Sequence, residues 1–367
     1  MTQSNAKIAE VGKNAREKES LIWNIANSLY GAFKPHEYGL VILPMAIIKR
    51  FHDCLLPTLD AVWEQDEKLK TMPAELKAGF LKRASGYEFY NTSHYTFANL
   101  QSDPENIADN FRDYLNGFSE NVQDILSRMN FDAAVSRMVE AGALYQVIVD
   151  FGSDKADMSP DKVSTVDMGY IFENLVQRFS ESYDEEAGAH FTSRDIIYLM
   201  CDLLTTGETL TPEEQRNGIR RTVYDMAMGT SQMLTCMEER LKMLDENADV
   251  STFGQEINPF TYGIAKADML IHGGDPDNMQ FGDTLSDDKF PGYQFDFVIS
   301  NPPFGIDWKR EAPAVEAENK RGDAGRFGPG LPSKSDGQML FLLNGVKKLK
   351  DTGRMAIIQN GSSLFTG

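Results

Sequence analysis

The chain has 367 residues, 41% of them hydrophobic and 25% charged, which is enough for a large core and for two domains. The formal net charge of −19 argues against a protein that binds nucleic acid by its own surface, because an acidic surface repels a polyanion at long range. The longest apolar run, residues 39–48, contains a proline and is too short to cross a bilayer.

The amino-terminal segment and the reactive side chains indicate where the protein works. Residues 1–20 are polar and charged and show no secretory signal. The cysteines Cys54, Cys201 and Cys236 form no CxxC pair, which predicts reduced, buried thiols. The five histidines have no metal-ligand spacing, so we expect no metal. These features predict a cytoplasmic protein that is not attached to a membrane.

Residues 17–150 are predicted to be helical. Apolar side chains recur at helical spacing in residues 19–33 and again in residues 43–56, with Pro44 expected in the first turn of the second helix. Residues 105–129 form another amphipathic pattern, interrupted near Gly117. We assign residues 1–160 to an all-helical domain, which is either a docking or DNA-clamping module or a purely structural domain.

The pattern changes after residue 160, where predicted strands alternate with single helices. The predicted strands are residues 221–228, 251–258, 279–285, 295–301 and 353–360. Such alternation favours a parallel, doubly wound α/β sheet, and ligands bind at the carboxyl ends of the strands in such sheets.

Small and acidic residues follow the first three predicted strands in turn. Gly229, Thr230 and Ser231 form a small-residue turn that lets a ligand approach the backbone. Glu256 ends the second strand, where an acid can accept both hydroxyls of a ribose, and Asp283 ends the third, where it can accept from an adenine amine. Each acid alone is more often a solvated loop residue or a helix cap, and the glycine alone is consistent with an ordinary tight turn. Their order along one rim of the sheet indicates a ligand site.

The tetrapeptide Asn301–Phe304, NPPF, follows the fourth predicted strand and has two interpretations. In the first, the prolines simply end the strand and Phe304 packs into the core. In the second, the Asn301 side-chain carbonyl and the Pro302 backbone carbonyl hold an NH2 group while Phe304 stacks on a flat ring. The second interpretation suits a purine amine that has been pulled out of a duplex.

Together these motifs resemble the modification (M) subunits of type I restriction-modification systems, which are adenine-N6 DNA methyltransferases. The resemblance covers nearly the whole chain: residues 21–51 are similar to the family's helical domain, AGAHFTSRD (187–195) to its cofactor loop, DMAMGTSQML (225–234) to its glycine motif, and NPPF to its catalytic motif. It implies a Rossmann-like methyltransferase core over residues 161–367, S-adenosyl-L-methionine as cofactor, and double-stranded DNA as substrate. It also implies a specificity (S) subunit and a restriction (R) subunit as partners.

The resemblance also implies a role for individual residues. The catalytic residues would be Asn301, Pro302, Pro303 and Phe304. The cofactor-binding residues would be Ala189, His190, Phe191, Thr192, Ser193, Arg194, Asp225, Gly229, Thr230, Ser231, Glu256 and Asp283. Ser193 and Ser231 depart from the family pattern, so we expect weakened cofactor binding. The family continues beyond Gly367 into further strands and a helical tail, so part of the catalytic domain is expected to be missing.

Three questions stay open at the level of the sequence. Residues 306–334 are interpreted as a mobile segment that orders over the DNA or the flipped base, or alternatively as a solvated insertion. The same NPPF motif would also serve a protein-glutamine methyltransferase. A non-catalytic assembly subunit with a decayed cofactor loop is the third possibility, which the departures at Ser193 and Ser231 suggest.

Overall fold

The computed structural model describes residues 20–181 and 192–361. The chain divides into two compact units. The first unit comprises Met1–Ala187 with Lys266–Gly273, and the second comprises Gly188–Ala265 with Gly274–Gly367. None of the described helices is long and apolar enough to cross a membrane.

The first unit is built from helices, as the sequence predicts. Residues 20–25 are helical, and they are followed by α1 (Gly39–Leu55), α2 (Leu59–Lys68), α3 (Ala74–Ser85), α4 (Phe97–Leu100), α5 (Ile107–Asn116), α6 (Glu120–Arg128), α7 (Phe131–Glu140), α8 (Leu144–Phe151) and α9 (Thr165–Glu181). The predicted break near Gly117 is confirmed, since it falls between α5 and α6. A side chain at Gly117 would come within 2.5 Å of the Ser93 backbone nitrogen, so the break also fits the packing.

Two details of the helical prediction are wrong. Residues 19–33 do not form one helix, because the α-helix ends at residue 25 and a 3-10 turn, Ala26–Leu29, follows it. Pro44 does not lie in a first turn, because α1 already begins at Gly39. A proline in a helix interior removes one backbone hydrogen bond. All residues of α1 except Leu40 are buried, and this packing offsets the lost bond.

The second unit contains a five-stranded parallel sheet, which confirms the predicted fold class. The strands are β1 (Arg220–Asp225), β2 (Asp249–Glu256), β3 (Met279–Phe281), β4 (Phe295–Ser300) and β5 (Leu349–Ile357). The helices that accompany them along the chain are α10 (Arg194–Thr205), α11 (Glu214–Asn217), α12 (Gln232–Leu244), α13 (Pro259–His272), α14 (Ala312–Asn319) and α15 (Gln338–Lys347). The strand order is β3-β2-β1-β4-β5, so the winding direction reverses between β1 and β4.

Residues 306–334 pack against the sheet unit, so the interpretation of this segment as a solvated insertion is wrong, whereas ordering over the DNA or the flipped base stays a prediction. Trp308 is 1% exposed, and Val315 and Phe327 are completely buried in the same core cluster as Tyr224 of β1. Two backbone hydrogen bonds close the base of the segment: Trp308 N donates to Lys334 O at 3.1 Å, and Gly337 N donates to Ile306 O at 3.0 Å. The apolar residues decide the packing here, although charged residues dominate the local composition.

Candidate active site

The candidate site lies where β1 and β4 separate. Backbone pairing of β1 with β2 continues as far as Asp225 opposite Gly254. Pairing of β1 with β4 ends earlier, at Tyr224 opposite Val298. The two strands therefore part at their carboxyl ends, and a crevice opens at this point in doubly wound sheets.

Asp225 ends β1 and is only 1% exposed. Its Oδ1 accepts a hydrogen bond from Ser300 Oγ at 2.7 Å and another from Ala227 N at 3.0 Å. The pKa of Asp225 is raised to about 7, mainly by burial and to a smaller extent by the nearby Glu256 carboxylate. The Asp225 carboxylate thus forms hydrogen bonds with β4, through Ser300, and with the turn after β1, through Ala227.

The turn after β1 has two residues in the left-handed region, Gly229 with φ 53° and Ser231 with φ 70°. A Cβ added at Gly229 would meet nothing within 4 Å, so open space lies beside the turn. The Ser231 side chain is buried, and its Oγ has no hydrogen-bond partner among the described residues. A buried hydroxyl without a partner is unusual, and a ligand can satisfy it.

Glu256 ends β2 and holds the turn from the other side. Its Oε2 accepts from Gly229 N at 2.8 Å, and its Oε1 accepts from Asn258 N at 2.8 Å. Glu256 is 9% exposed, and burial raises its pKa. A carboxylate can accept about four hydrogen bonds. The Ile257 backbone amide and the Thr261 hydroxyl are further donors beside it, and their hydrogen bonds lower its pKa against the effect of burial.

Asp283 follows β3 and is partly buried. Its Oδ1 accepts from Leu285 N at 3.0 Å and its Oδ2 accepts from Ser286 Oγ at 2.5 Å, so it caps its own loop. The neighbouring Thr284 donates its Oγ1 to Met226 O at 2.6 Å. This bond ties the loop after β3 to the turn after β1.

The NPPF tetrapeptide leaves the sheet at the end of β4. Asn301 Nδ2 donates to Thr192 Oγ1 at 2.8 Å, which fixes the direction of the side-chain amide. Pro302 is buried, whereas Pro303 and Phe304 are partly buried. Phe304 is therefore neither a fully buried core residue nor a fully exposed ring.

The structure brings most of the sequence-predicted residues to this crevice. Arg194, at the start of α10, donates to Gln232 Oε1 on α12 at 2.6 Å. Ser193 is the N-cap residue of α10, and Thr230 is partly buried in the turn. The predicted cofactor residues Ala189, His190 and Phe191 lie outside the described residues.

Sequence reasoning did not single out Ser300 or Thr284. Both are small polar residues that are 5% exposed or less, and each is adjacent to a residue that was singled out, Asn301 or Asp283. A buried hydroxyl at the end of an apolar strand is a usable signal, because it must find a partner inside the protein.

No group of three or more His, Cys, Asp or Glu side chains in residues 20–181 and 192–361 is arranged to hold a metal ion. The three cysteines are buried thiols that form no disulfide bond with one another, as predicted.

Two family models match the chain. Residues 164–367 match the model described as N-6 DNA Methylase, and residues 18–151 match the HsdM N-terminal domain. Among curated proteins, the chain is 21% identical to the type I restriction enzyme MjaIX methylase subunit of Methanocaldococcus jannaschii, over 96% of this chain and 62% of that protein. It is 28% identical to the type I restriction enzyme HindI methylase subunit of Haemophilus influenzae, over 53% of this chain and 40% of that protein.

A solved structure shares the fold. It is the methyltransferase subunit of a type I restriction-modification system from Streptococcus thermophilus, which superposes with a TM-score of 0.71 at 22% identity. The superposition covers 96% of this chain and 76% of that one. The chain thus spans less than two thirds of the length of the two curated relatives and about three quarters of this structural neighbour.

Proposed function

The chain belongs to the N-6 DNA methylase family, and we propose that it transfers a methyl group from S-adenosyl-L-methionine to N6 of adenine in double-stranded DNA. We propose that it does so in the cytoplasm as the modification subunit of a type I restriction-modification system. A separate specificity (S) subunit then selects the DNA site, and a restriction (R) subunit is the further partner. The two family matches and the names of the relatives support this role.

The observation that carries the proposal is the placement of Asn301. Its side chain stands at the end of β4, beside the crevice, and its amide nitrogen is engaged by Thr192. The other polar atom of this amide, Oδ1, is an oxygen and can only accept hydrogen bonds. An acceptor held in a fixed direction beside two strand ends is what recognition of an amine requires.

The residues around the first turn fit the proposed cofactor. Glu256 would accept the ribose hydroxyls, and the open space beside Gly229 would leave room for a ligand to contact the backbone. The unpartnered Ser231 Oγ is a further candidate contact, and Asp283 would accept from the adenine amine of the cofactor. When bound, S-adenosyl-L-methionine supplies an electrophilic methyl group on a sulfonium sulfur.

Asn301 and Pro302 would act on the target amine. The N6 lone pair of adenine is delocalised into the ring, which makes this amine a poor nucleophile. Two carbonyl acceptors, Asn301 Oδ1 and Pro302 O, would hold its N–H groups and favour a pyramidal nitrogen with the lone pair directed at the methyl group. The same dipoles stabilise the positive charge that develops on the nitrogen. Phe304 would hold the ring by stacking, and alignment of the reactants gives the remaining acceleration.

Two alternatives remain as outcomes of the test. Methylation of a protein glutamine would use the same acceptors, but the match of residues 18–151 to the HsdM N-terminal domain favours DNA. A non-catalytic assembly subunit is suggested by the departures of Ser193 and Ser231 from the family pattern. The bond between Glu256 and Gly229 is an argument against it, because the acid and the small-residue turn still meet at the crevice.

The variant Asn301→Ala tests the proposal. We expect methyl transfer from labelled cofactor to DNA to fall by a factor of about 100 or more, since an acceptor that acts in the transition state is lost. Cofactor affinity, measured by calorimetry, should fall much less than methyl transfer, because Asn301 is assigned to the target amine and its contact with the predicted cofactor loop is the bond to Thr192. The assay is run on the chain co-expressed with its specificity subunit.

Asn121→Ala is the matched control. Asn121 also uses its Nδ2 in one hydrogen bond, to Glu88 O at 2.8 Å, but in the helical unit. Its loss should leave methyl transfer unchanged. Parallel losses of cofactor binding and activity in Asn301→Ala would show that NPPF only shapes the fold. Label in protein instead of DNA would support glutamine methylation, and absent cofactor binding at millimolar concentration would support the non-catalytic alternative.

A further inference from the structure

Ser300 is a fully buried hydroxyl directly before the catalytic tetrapeptide. It is the last residue of β4 and is 0% exposed. Its backbone is held on one side by β5: it pairs with Ile357, and its carbonyl oxygen accepts from Ile358 N at 3.1 Å. Its side chain points the other way along the sheet and donates to Asp225 Oδ1 of β1 at 2.7 Å.

The side-chain bond stands where the backbone pairing of β1 and β4 has already stopped. The last paired residues are Tyr224 and Val298, two positions before Ser300. Strands that part to form a crevice lose the ladder that would otherwise fix their spacing. The bond between Ser300 and Asp225 links the two strand ends beyond that point.

The acceptor of this bond is shared with the first turn. Asp225 Oδ1 also accepts from Ala227 N at 3.0 Å, so one oxygen bonds to the start of the turn and to the residue before Asn301. Ser300 and Asp225 are each 1% exposed or less. Water does not compete for a bond at such a site, and the low dielectric strengthens it.

We propose that Ser300 is a positioning residue that, through Asp225, fixes the distance between the turn at residues 227–231 and the side chain of Asn301. This inference rests on the proposed function, because the turn would hold the methyl donor and Asn301 the target amine. Ser300 touches neither reactant. Its effect is on the alignment of the two, and a misplacement of about 1 Å can cost a factor of about 100 in rate.

Ser300→Ala removes the hydroxyl, and Thr222→Val provides a matched control. Thr222 Oγ1 donates to Asp296 Oδ2 at 2.9 Å, which is also a side-chain bond between β1 and β4 but lies at the amino ends of these strands. We expect Ser300→Ala to lower kcat at saturating cofactor and DNA by about tenfold or more, with cofactor affinity within about twofold of wild type. Thr222→Val should keep the wild-type kcat, and Ser300→Thr, which retains the donor, should recover most of the activity lost by Ser300→Ala.

A second measurement does not require activity. Hydrogen–deuterium exchange of the peptide covering residues 297–306 should be faster in Ser300→Ala than in Thr222→Val, because Asn301 is no longer held through β1. Equal kcat in Ser300→Ala and Thr222→Val would overturn the inference, as would equally low kcat in the Ala and Thr variants. Unchanged exchange of that peptide would also overturn the inference, and this measurement can be made even on a protein without activity. Absence of methyl transfer in the wild-type protein would instead count against the proposed function.

Discussion

Ser231 adopts a backbone conformation that favours glycine. Its φ is 70°, and the structure gives Asn130, with φ 52°, as the other non-glycine residue with positive φ in its described part. We expect Ser231→Gly to raise the free energy of unfolding by about 1 kcal/mol, because a Cβ in this region is strained and the unpartnered Oγ is removed. Urea denaturation measures the change.

Asn130→Gly is the control for this prediction. Asparagine tolerates the left-handed region better than serine, so the gain in stability should be smaller there. A loss of stability in Ser231→Gly would show that the serine hydroxyl has a structural partner.

The raised pKa of Asp225 makes the free energy of unfolding fall as the pH rises. Burial raises its pKa from 3.8 to about 7, so between these values the folded chain holds a proton that the unfolded chain has lost. The stabilisation is complete below about pH 4 and is lost as the pH rises through 7.

The variant Asp225→Asn isolates this effect, since its side-chain oxygen can still accept from Ser300 and it does not titrate. From pH 5 to pH 8, the unfolding free energy of wild type should fall relative to the variant, by at most about 1.4 kcal/mol per pH unit. Glu256 is present in both proteins, so the difference between the two curves reports the titration of Asp225 together with its electrostatic coupling to Glu256. Parallel stability curves for the two proteins would contradict the raised pKa.

At the scale of elements, Arg326 anchors the segment of residues 306–334. It is 7% exposed, and its guanidinium donates to the Glu318 carboxylate. It also donates to two carbonyl oxygens in the loop after β3, Thr284 O at 2.6 Å and Leu285 O at 3.1 Å. The segment after NPPF is thereby fastened to the loop that carries Asp283.

Arg326→Met should lower the free energy of unfolding by about 1–3 kcal/mol, because the partly buried Glu318 carboxylate and the carbonyl oxygens of Thr284 and Leu285 lose their donor. Limited proteolysis should then cut within residues 306–334, which wild type protects. The double variant Arg326→Met with Glu318→Gln should be less destabilised than the single variant. Equal stability of wild type and Arg326→Met would show that the network does not hold the segment.

The same elements show how far local sequence reasoning reaches. Alternating strands and helices predicted the parallel sheet, and the small turn at Gly229 and the acid at Glu256 indeed meet, at 2.8 Å. The start of α1 and the packing of residues 306–334 were not predictable in this way. Both depend on long-range burial, for example of Trp308 against the sheet core, and local composition does not report such contacts.

At the scale of the whole molecule, charge and motif order point in different directions. The net charge of −19 disfavours DNA, whereas the ordered motifs favour it. Charge is an average over the surface, and a motif reports one local arrangement, so the two are compatible. If the chain methylates DNA as proposed, most of the cations that contact phosphates belong to a partner. Affinity for DNA is then a property of the assembly.

The two hydrogen bonds at the base of residues 306–334 affect how the length of this segment can change during evolution. Because Trp308 bonds to Lys334 and Gly337 bonds to Ile306, the segment leaves the sheet unit and returns to it at the same place. A segment whose two ends lie together can become longer or shorter, or be replaced by another segment, without moving β4 or α15. Such an exchange must keep Arg326, which fastens the segment, and the apolar side chains, such as Trp308 and Phe327, that fill the core of the sheet unit.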